Sequence, residues 1–283
     1  MKTIRLLYPD YLGGGMDIYH FGANLLAHIL PENEGQPLIK VELAPPDGKK
    51  RKITEGIYAK DEVIDGIKQA GMAVAKAKPD KIITIGGNCL VSLAPFDYLH
   101  GIYDNVGIVW IDAHPDVSLP QNNYPNAHAM VLSALMGHGD YELCVQLQNP
   151  CFKPRDILYL GLQDLHEYQE AFLKEKGVAY KVQSEDFLSD DKIKNFLQRF
   201  KHILVHLDID VLDAKGFHST YFANTELVGD GSGGGRMTMK KLSALLKLVT
   251  EESDVVGLTI AEYLPFDEYN LHNMLADIKL FKE

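Results

Sequence analysis

Five short runs constrain this chain most: KIITI, GIVWI, DILYL, ILVHL and VVGLTI. Each is almost continuously apolar and rich in β-branched residues, the pattern of a strand buried on both faces rather than one. Thr3–Leu7 and Gln36–Leu43 predict two further strands near the start, and Ala179–Val182 a short one later. Between them, helical spacing is read over 57–78 (through Val63, Ile67, Met72 and Val74), 92–100, 126–136, 165–176, 192–200, 239–252 and 269–281. The Pro79-Asp80 pair stops the first of these. Strands alternating with helices imply a mostly parallel sheet covered on both sides. With neither an internal repeat nor a linker, residues 1–283 are expected to form a single domain.

The polar residues cluster directly after those strands, as GGNC, DAHPD, GLQDLH, DIDVLD and AEYLP. Open α/β sheets bind ligands at the carboxyl ends of their strands, so one shared site is expected there. In DAHPD, Asp112, His114 and Asp116 occupy positions i, i+2 and i+4, which point the same way on an extended backbone. Asp208 and Asp210 repeat the design, with Asp213 following. A lone Asp or His is ordinarily a cap or a satisfied core group; two such clusters are not. Gathered buried carboxylates need cations or protons. Carboxylates with imidazoles suit Mn²⁺, Fe²⁺ or Zn²⁺ better than Mg²⁺ or Ca²⁺. Two such ions would lower the pKa of a shared water and supply hydroxide near neutral pH, so hydrolysis is the expected reaction.

Net charge is −11, with 28 basic against 39 acidic residues and no basic cluster, which argues against nucleic-acid or membrane-surface partners. Three cysteines argue for a reducing compartment. No apolar stretch reaches 18 residues and the N-terminal run is too short for a signal peptide, so a cytoplasmic protein is expected. GDGSGGGRM lacks the GK[ST] ending and preceding strand of a phosphate loop.

Taken together, DAHPD and DIDVLD resemble the paired aspartate motifs of the arginase, agmatinase and formiminoglutamase family, the ureohydrolases. GGNC stands where that family has Gly-Gly-Asp-His, NAH where it has a His-containing loop, and AEYLP where it has a Glu before a Pro. The resemblance runs from about Leu7 to the C-terminus. It implies a three-layer α/β/α fold and a binuclear manganese site cleaving a C–N bond of a small guanidino or formimino compound. Trimers or hexamers are the implied assemblies.

Carried over by position, Asp112 and Asp208 would bridge the ions, and His114 and Asp210 would complete one shell. Asp116 would serve the other ion and so the catalytic centre, whose histidine ligand falls at Cys89. His128 would shuttle a proton to the leaving amine, Glu262 would pair with the substrate's guanidinium-like group, and Asn126 would hold its distal end. Asp213 would play a supporting role. The chain departs from the pattern at Cys89, at Asn88, at Ala214 after Asp213, over Phe217–Gly235, and at His166. His166, a substrate-binding candidate, lies where arginases keep an acid for the α-amino group, which counts against arginine itself. A thiolate at Cys89 would favour Zn²⁺ or Fe²⁺ over Mn²⁺. Three readings therefore stand: a ureohydrolase-like enzyme, a one-metal deacetylase-like amide hydrolase, and a family member that has lost catalysis and serves as a binding or regulatory protein.

Overall fold

The computed structural model describes residues 1–227 and 231–281. In chain order the elements are β1 (Thr3–Tyr8), α1 (Ile18–Ile29), β2 (Leu38–Lys40), a two-stranded hairpin of β3 (Ile53–Thr54) and β4 (Ile57–Tyr58), α2 (Lys60–Ala77) and β5 (Lys81–Gly86). Then follow α3 (Leu93–Ile102), β6 (Val106–Ile111), α4 (Val131–Leu135), α5 (Tyr141–Cys144), β7 (Ile157–Leu160), α6 (Glu167–Lys176) and α7 (Asp190–Leu197). β8 (His202–Asp208), α8 (Met239–Glu252), β9 (Val255–Ala261) and α9 (Phe266–Ala276) complete the described chain.

Seven strands form one sheet in the order β2-β1-β5-β9-β8-β6-β7, every neighbouring pair parallel. The pleat sends alternate residues to opposite faces. Ile108 and Trp110 of β6 join a core with α2, α3 and α4, whereas Val109 and Ile111 join one with α7 and α8. Leu7 and Ile85 bury against Ala23 and Leu26 of α1. These are the three layers that continuous apolar strands require. Each Leu or Ile so buried contributes roughly 1.5–3 kcal/mol.

The order matters for the site. The carboxyl ends of β5, β9, β8 and β6 lie side by side, so GGNC, AEYLP, DIDVLD and DAHPD are brought together from four separated stretches of sequence. β7 is an edge strand, which places GLQDLH at the margin.

Several local expectations are corrected. Residues 179–182 pair with no strand; Gln183 is tied back instead by its N–H to the Leu162 carbonyl at 2.7 Å. The stretch 126–136 is a tight turn (Ala127–Met130) followed by α4 rather than one helix. Met72, counted in the helical spacing of α2, is 56% exposed and lies off its buried face. α1 was not expected, because Gly22 interrupts its apolar face. That glycine is needed: a Cβ there would stand 1.9 Å from the backbone oxygen of Tyr263. Gly22→Ala should therefore cost about 1–3 kcal/mol. An unchanged denaturant midpoint would show that α1 can move away freely.

Candidate metal centre

The floor of the site is made of strand ends whose side chains are locked by their own backbone. Asp112 Oδ1 accepts from the His114 N–H at 2.6 Å, and Asp208 Oδ1 accepts from the Asp210 N–H, also at 2.6 Å. Both are Asx-type turns at which a strand stops and a carboxylate faces up. Asp210 Oδ1 takes the Ala113 N–H at 3.3 Å, joining the two motifs across the β6–β8 gap. Asp116 and Glu262 have left-handed φ values of 49° and 60°, a strained state for non-glycine residues that clusters at functional sites. The Glu262 N–H donates to the Gly87 carbonyl at 2.8 Å, which holds that conformation. Gly87 itself must be glycine, since a Cβ would lie 1.8 Å from the Asp10 oxygen.

Above the floor, His114 Nδ1 sits 2.9 Å from Asp210 Oδ2, and Cys89 Sγ donates to Asp208 Oδ2 at 2.8 Å. His128 Nδ1 lies 2.7 Å from Glu262 Oε1, and its Nε2 is 3.0 Å from the Tyr124 hydroxyl. Cys89, His114, Asp116, Asn126, His128, Asp208, Asp210 and Glu262 all line one cavity of about 600 Å³. Asp112 lies buried beneath them. His166 is set one step back: it caps α6, and its Nε2 meets Ser232 Oγ at 3.1 Å, while Ser232 and Gln169 form the wall. Asp213 accepts from the Lys215 N–H and serves the local turn.

The electrostatics are those of a centre crowded with negative charge. Burial pushes the Asp112 and Asp208 carboxyls well up, with neighbouring carboxylates adding to it. Burial also lifts Asp116, to about 7. For His114 burial disfavours the charged form, but Asp210 and then Asp112 override it and raise the ring to about 10. Asp210 goes the other way, burial being outweighed by His114. Burial, then Asp208, raises the Cys89 thiol well above its ordinary value.

Divalent ions fit these residues. Among the described residues, donor atoms of Asp112, His114 and Asp210 lie within 4.8 Å of one another, as do those of Asp208, Asp210 and Glu262, and those of Cys89, Asp112, Asp116 and His206. Among the described residues, His114 Nε2, Asp116 Oδ2 and His206 Nε2 are buried without a hydrogen-bond partner, a costly state in a dry interior. An ion must displace the protons these groups hold. Metal affinity should therefore rise between pH 6 and 8, with net proton release on binding. Calorimetry in buffers of different ionisation enthalpy measures that release; an enthalpy independent of buffer would contradict it.

A model of the arginase family matches residues 42–280. The chain belongs to the arginase family. It is 25% identical over 235 residues to arginase from Staphylococcus aureus (strain MRSA252), covering 80% of this chain and 74% of that one. With arginase-1 of Xenopus laevis it is 31% identical over 157 residues, 51% of this chain and 50% of the relative. A crystal structure of Entamoeba histolytica arginase in complex with L-ornithine superposes with a TM-score of 0.76 at 18% identity, covering 93% of this chain and 91% of that one. The α/β fold expected from the strand runs is thus the arginase fold.

Within this arginase-family chain, one departure from the family motif acquires a local explanation. Asn88 Nδ2 donates to Asp10 Oδ2 at 2.8 Å and to the Asp10 carbonyl at 3.0 Å, while its Oδ1 accepts the Leu90 N–H at 3.1 Å. A carboxylate at position 88 would face Asp10 with like charge. The amide satisfies both sides and fixes the turn that presents Cys89.

Sequence reasoning missed Trp110, His206, Ser92, Asp10 and Tyr124. Trp110 and His206 stand two residues before Asp112 and Asp208, on the same strand faces, and the β6–β8 register pairs them directly. Their rings stack at 3.7 Å, 8° from parallel. The Trp110 indole N–H donates to Asp112 Oδ2 at 2.9 Å. Both had been absorbed into apolar runs, although a histidine inside ILVHL was a visible signal. Burial drives the His206 ring down to about 3, so it is neutral at ordinary pH.

Proposed function

We propose that this chain is a metal-dependent hydrolase that cleaves a C–N bond of a small guanidino or formimino compound, with residues 1–283 acting as one domain. The observation that carries this reading is the convergence of His114, Asp116, Asp208 and Asp210, with Asp112 buried beneath them, and the Glu262–His128–Tyr124 hydrogen-bonded chain at a single cavity. Divalent ions held by Asp112, His114, Asp116, Asp208 and Asp210 would supply an activated water as nucleophile. The chain's own groups handle the substrate. Glu262 presents a buried carboxylate to a delocalised cation, the pairing in which charge-assisted hydrogen bonds are strongest. His128 lies between Glu262 and Tyr124 and can hold a proton at Nε2 for the departing amine. Asn126, on the cavity wall, would meet the substrate's far end. The family pattern makes manganese the reference metal, while the Cys89 thiol favours zinc or iron at its own position.

The test is a screen of protein loaded with Mn²⁺, Zn²⁺, Fe²⁺ or Co²⁺ against guanidino and formimino compounds, with urea and formamide as readouts. Release of either from one or more compounds is the expected result, with arginine a poor substrate because His166, facing Ser232, stands where arginases keep an acid for the α-amino group. Absence of turnover with all four metals would overturn the hydrolase reading in favour of a binding role.

A further inference from the structure

Cys89 leaves one side of the metal centre without an imidazole, yet an imidazole is present from another strand. Taking the divalent-metal reading above as its basis, we propose that His206 replaces the missing histidine. With Cys89, Asp112 and Asp116 it forms a one-sulfur, one-nitrogen, two-carboxylate site that selects a borderline ion such as Zn²⁺ over Mn²⁺.

Four observations meet here. The donor atoms of the four side chains lie within 4.8 Å of one another. Ligands about 2.0–2.3 Å from a common ion need such spacing, with only small adjustments. His206 is fully buried, and its Nε2 has no hydrogen-bond partner among the described residues while lying 3.9 Å from Asp112 Oδ2. Asp116 Oδ2 is likewise buried and unpartnered. The opposite ring nitrogen, His206 Nδ1, is 2.8 Å from Ser92 Oγ. With Nδ1–H donating to the hydroxyl, this outer hydrogen bond orients the ring and leaves the Nε2 lone pair for a metal ion.

The strand register supplies the reason the ring can do this. Trp110 and His206 face each other across β6 and β8, and stacking holds the imidazole plane while the indole N–H holds Asp112. A histidine placed only to fill the core would leave Nε2 with a permanent desolvation cost. An ion in this position removes that cost for His206 and for Asp116 together, and its arrival expels the thiol proton of Cys89 so that sulfur binds as thiolate. Sulfur and imidazole in one shell move preference away from Mn²⁺ and towards Zn²⁺, Fe²⁺ or Co²⁺.

Co²⁺ tests the proposal on the whole chain without relying on turnover. Wild-type protein titrated with Co²⁺ should develop the near-ultraviolet thiolate-to-cobalt charge-transfer absorption. Trp110, the only tryptophan in the sequence, should be quenched over the same concentration range. Cys89→Ser should lose the absorption. His206→Gln should weaken Co²⁺ at this site more than tenfold. Ser92→Ala, a smaller change that keeps the core filled, should weaken it about 10–100-fold, as expected for an outer partner. No thiolate band in the wild type, or a band whose midpoint is unchanged in both His206→Gln and Ser92→Ala, would overturn the assignment. Urea or formamide release without the band would sink this site and keep the hydrolase; the band without turnover would do the reverse.

Discussion

Asp208→Asn should reduce turnover at least a hundredfold and lower the number of ions bound per chain, yet make the metal-free protein more resistant to heat. Asp208 is buried at the meeting of both carboxylate motifs, its Oδ2 taking the Cys89 S–H and its Oδ1 the Asp210 N–H. A donor placed there is expected to cost more than the 10–100-fold typical of an outer partner. The stability effect has the opposite sign. Burial, then Asp210 and Glu262, push the Asp208 carboxyl well up, so the folded metal-free chain retains a proton that the unfolded chain releases above about pH 4. Wild-type stability without metal should therefore fall as pH rises from 5 to 8. Asparagine keeps an acceptor for the Asp210 N–H and carries no charge, so the variant's advantage widens across that range. Thermal melts in chelator at several pH values measure it; identical melting temperatures throughout would contradict the electrostatic picture.

His128→Asn should lower kcat by about 10²–10⁴, the usual contribution of a positioned acid or base, with bound metal unchanged. The ring is held from both sides, Nδ1 by Glu262 at 2.7 Å and Nε2 by Tyr124 at 3.0 Å. Burial disfavours its charged form, but Glu262 outweighs this and raises its pKa, the direction that suits a proton donor. Glu262→Gln should act differently, weakening substrate binding by one to two orders of magnitude through loss of a charge-assisted pair worth about 1.5–3 kcal/mol. Steady-state kinetics with metal analysis separates the two. A His128→Asn enzyme with kcat within threefold of wild type would remove the ring from the proton path.

The contrast between what was and was not legible in the sequence follows from distance along the chain. Asp112, His114 and Asp116 lie within five residues, and Asp208 and Asp210 within three, so a local pattern shows them. The apolar runs show the parallel sheet for the same reason. The stacking of Trp110 on His206 depends on the register of strands 96 residues apart, which no local spacing reveals. Asp10 supports Asn88 across 78 residues in the same way. Helix α1 was hidden because its buried face includes Gly22, a residue chosen for close backbone approach rather than apolarity. His166 looked equivalent to the other residues that follow strands, but it follows the edge strand β7 and so stands behind the cavity wall.

Bound divalent ions at these carboxylates are proposed to drive C–N hydrolysis. Metal-free protein titrated with Zn²⁺ or Mn²⁺, with bound ions counted by native mass spectrometry and urea or formamide followed in the same samples, tests it most directly. Turnover rising in step with occupancy is the expected result. Ions bound with no product from any guanidino or formimino compound, or a folded chain that binds no ion at all, would contradict it.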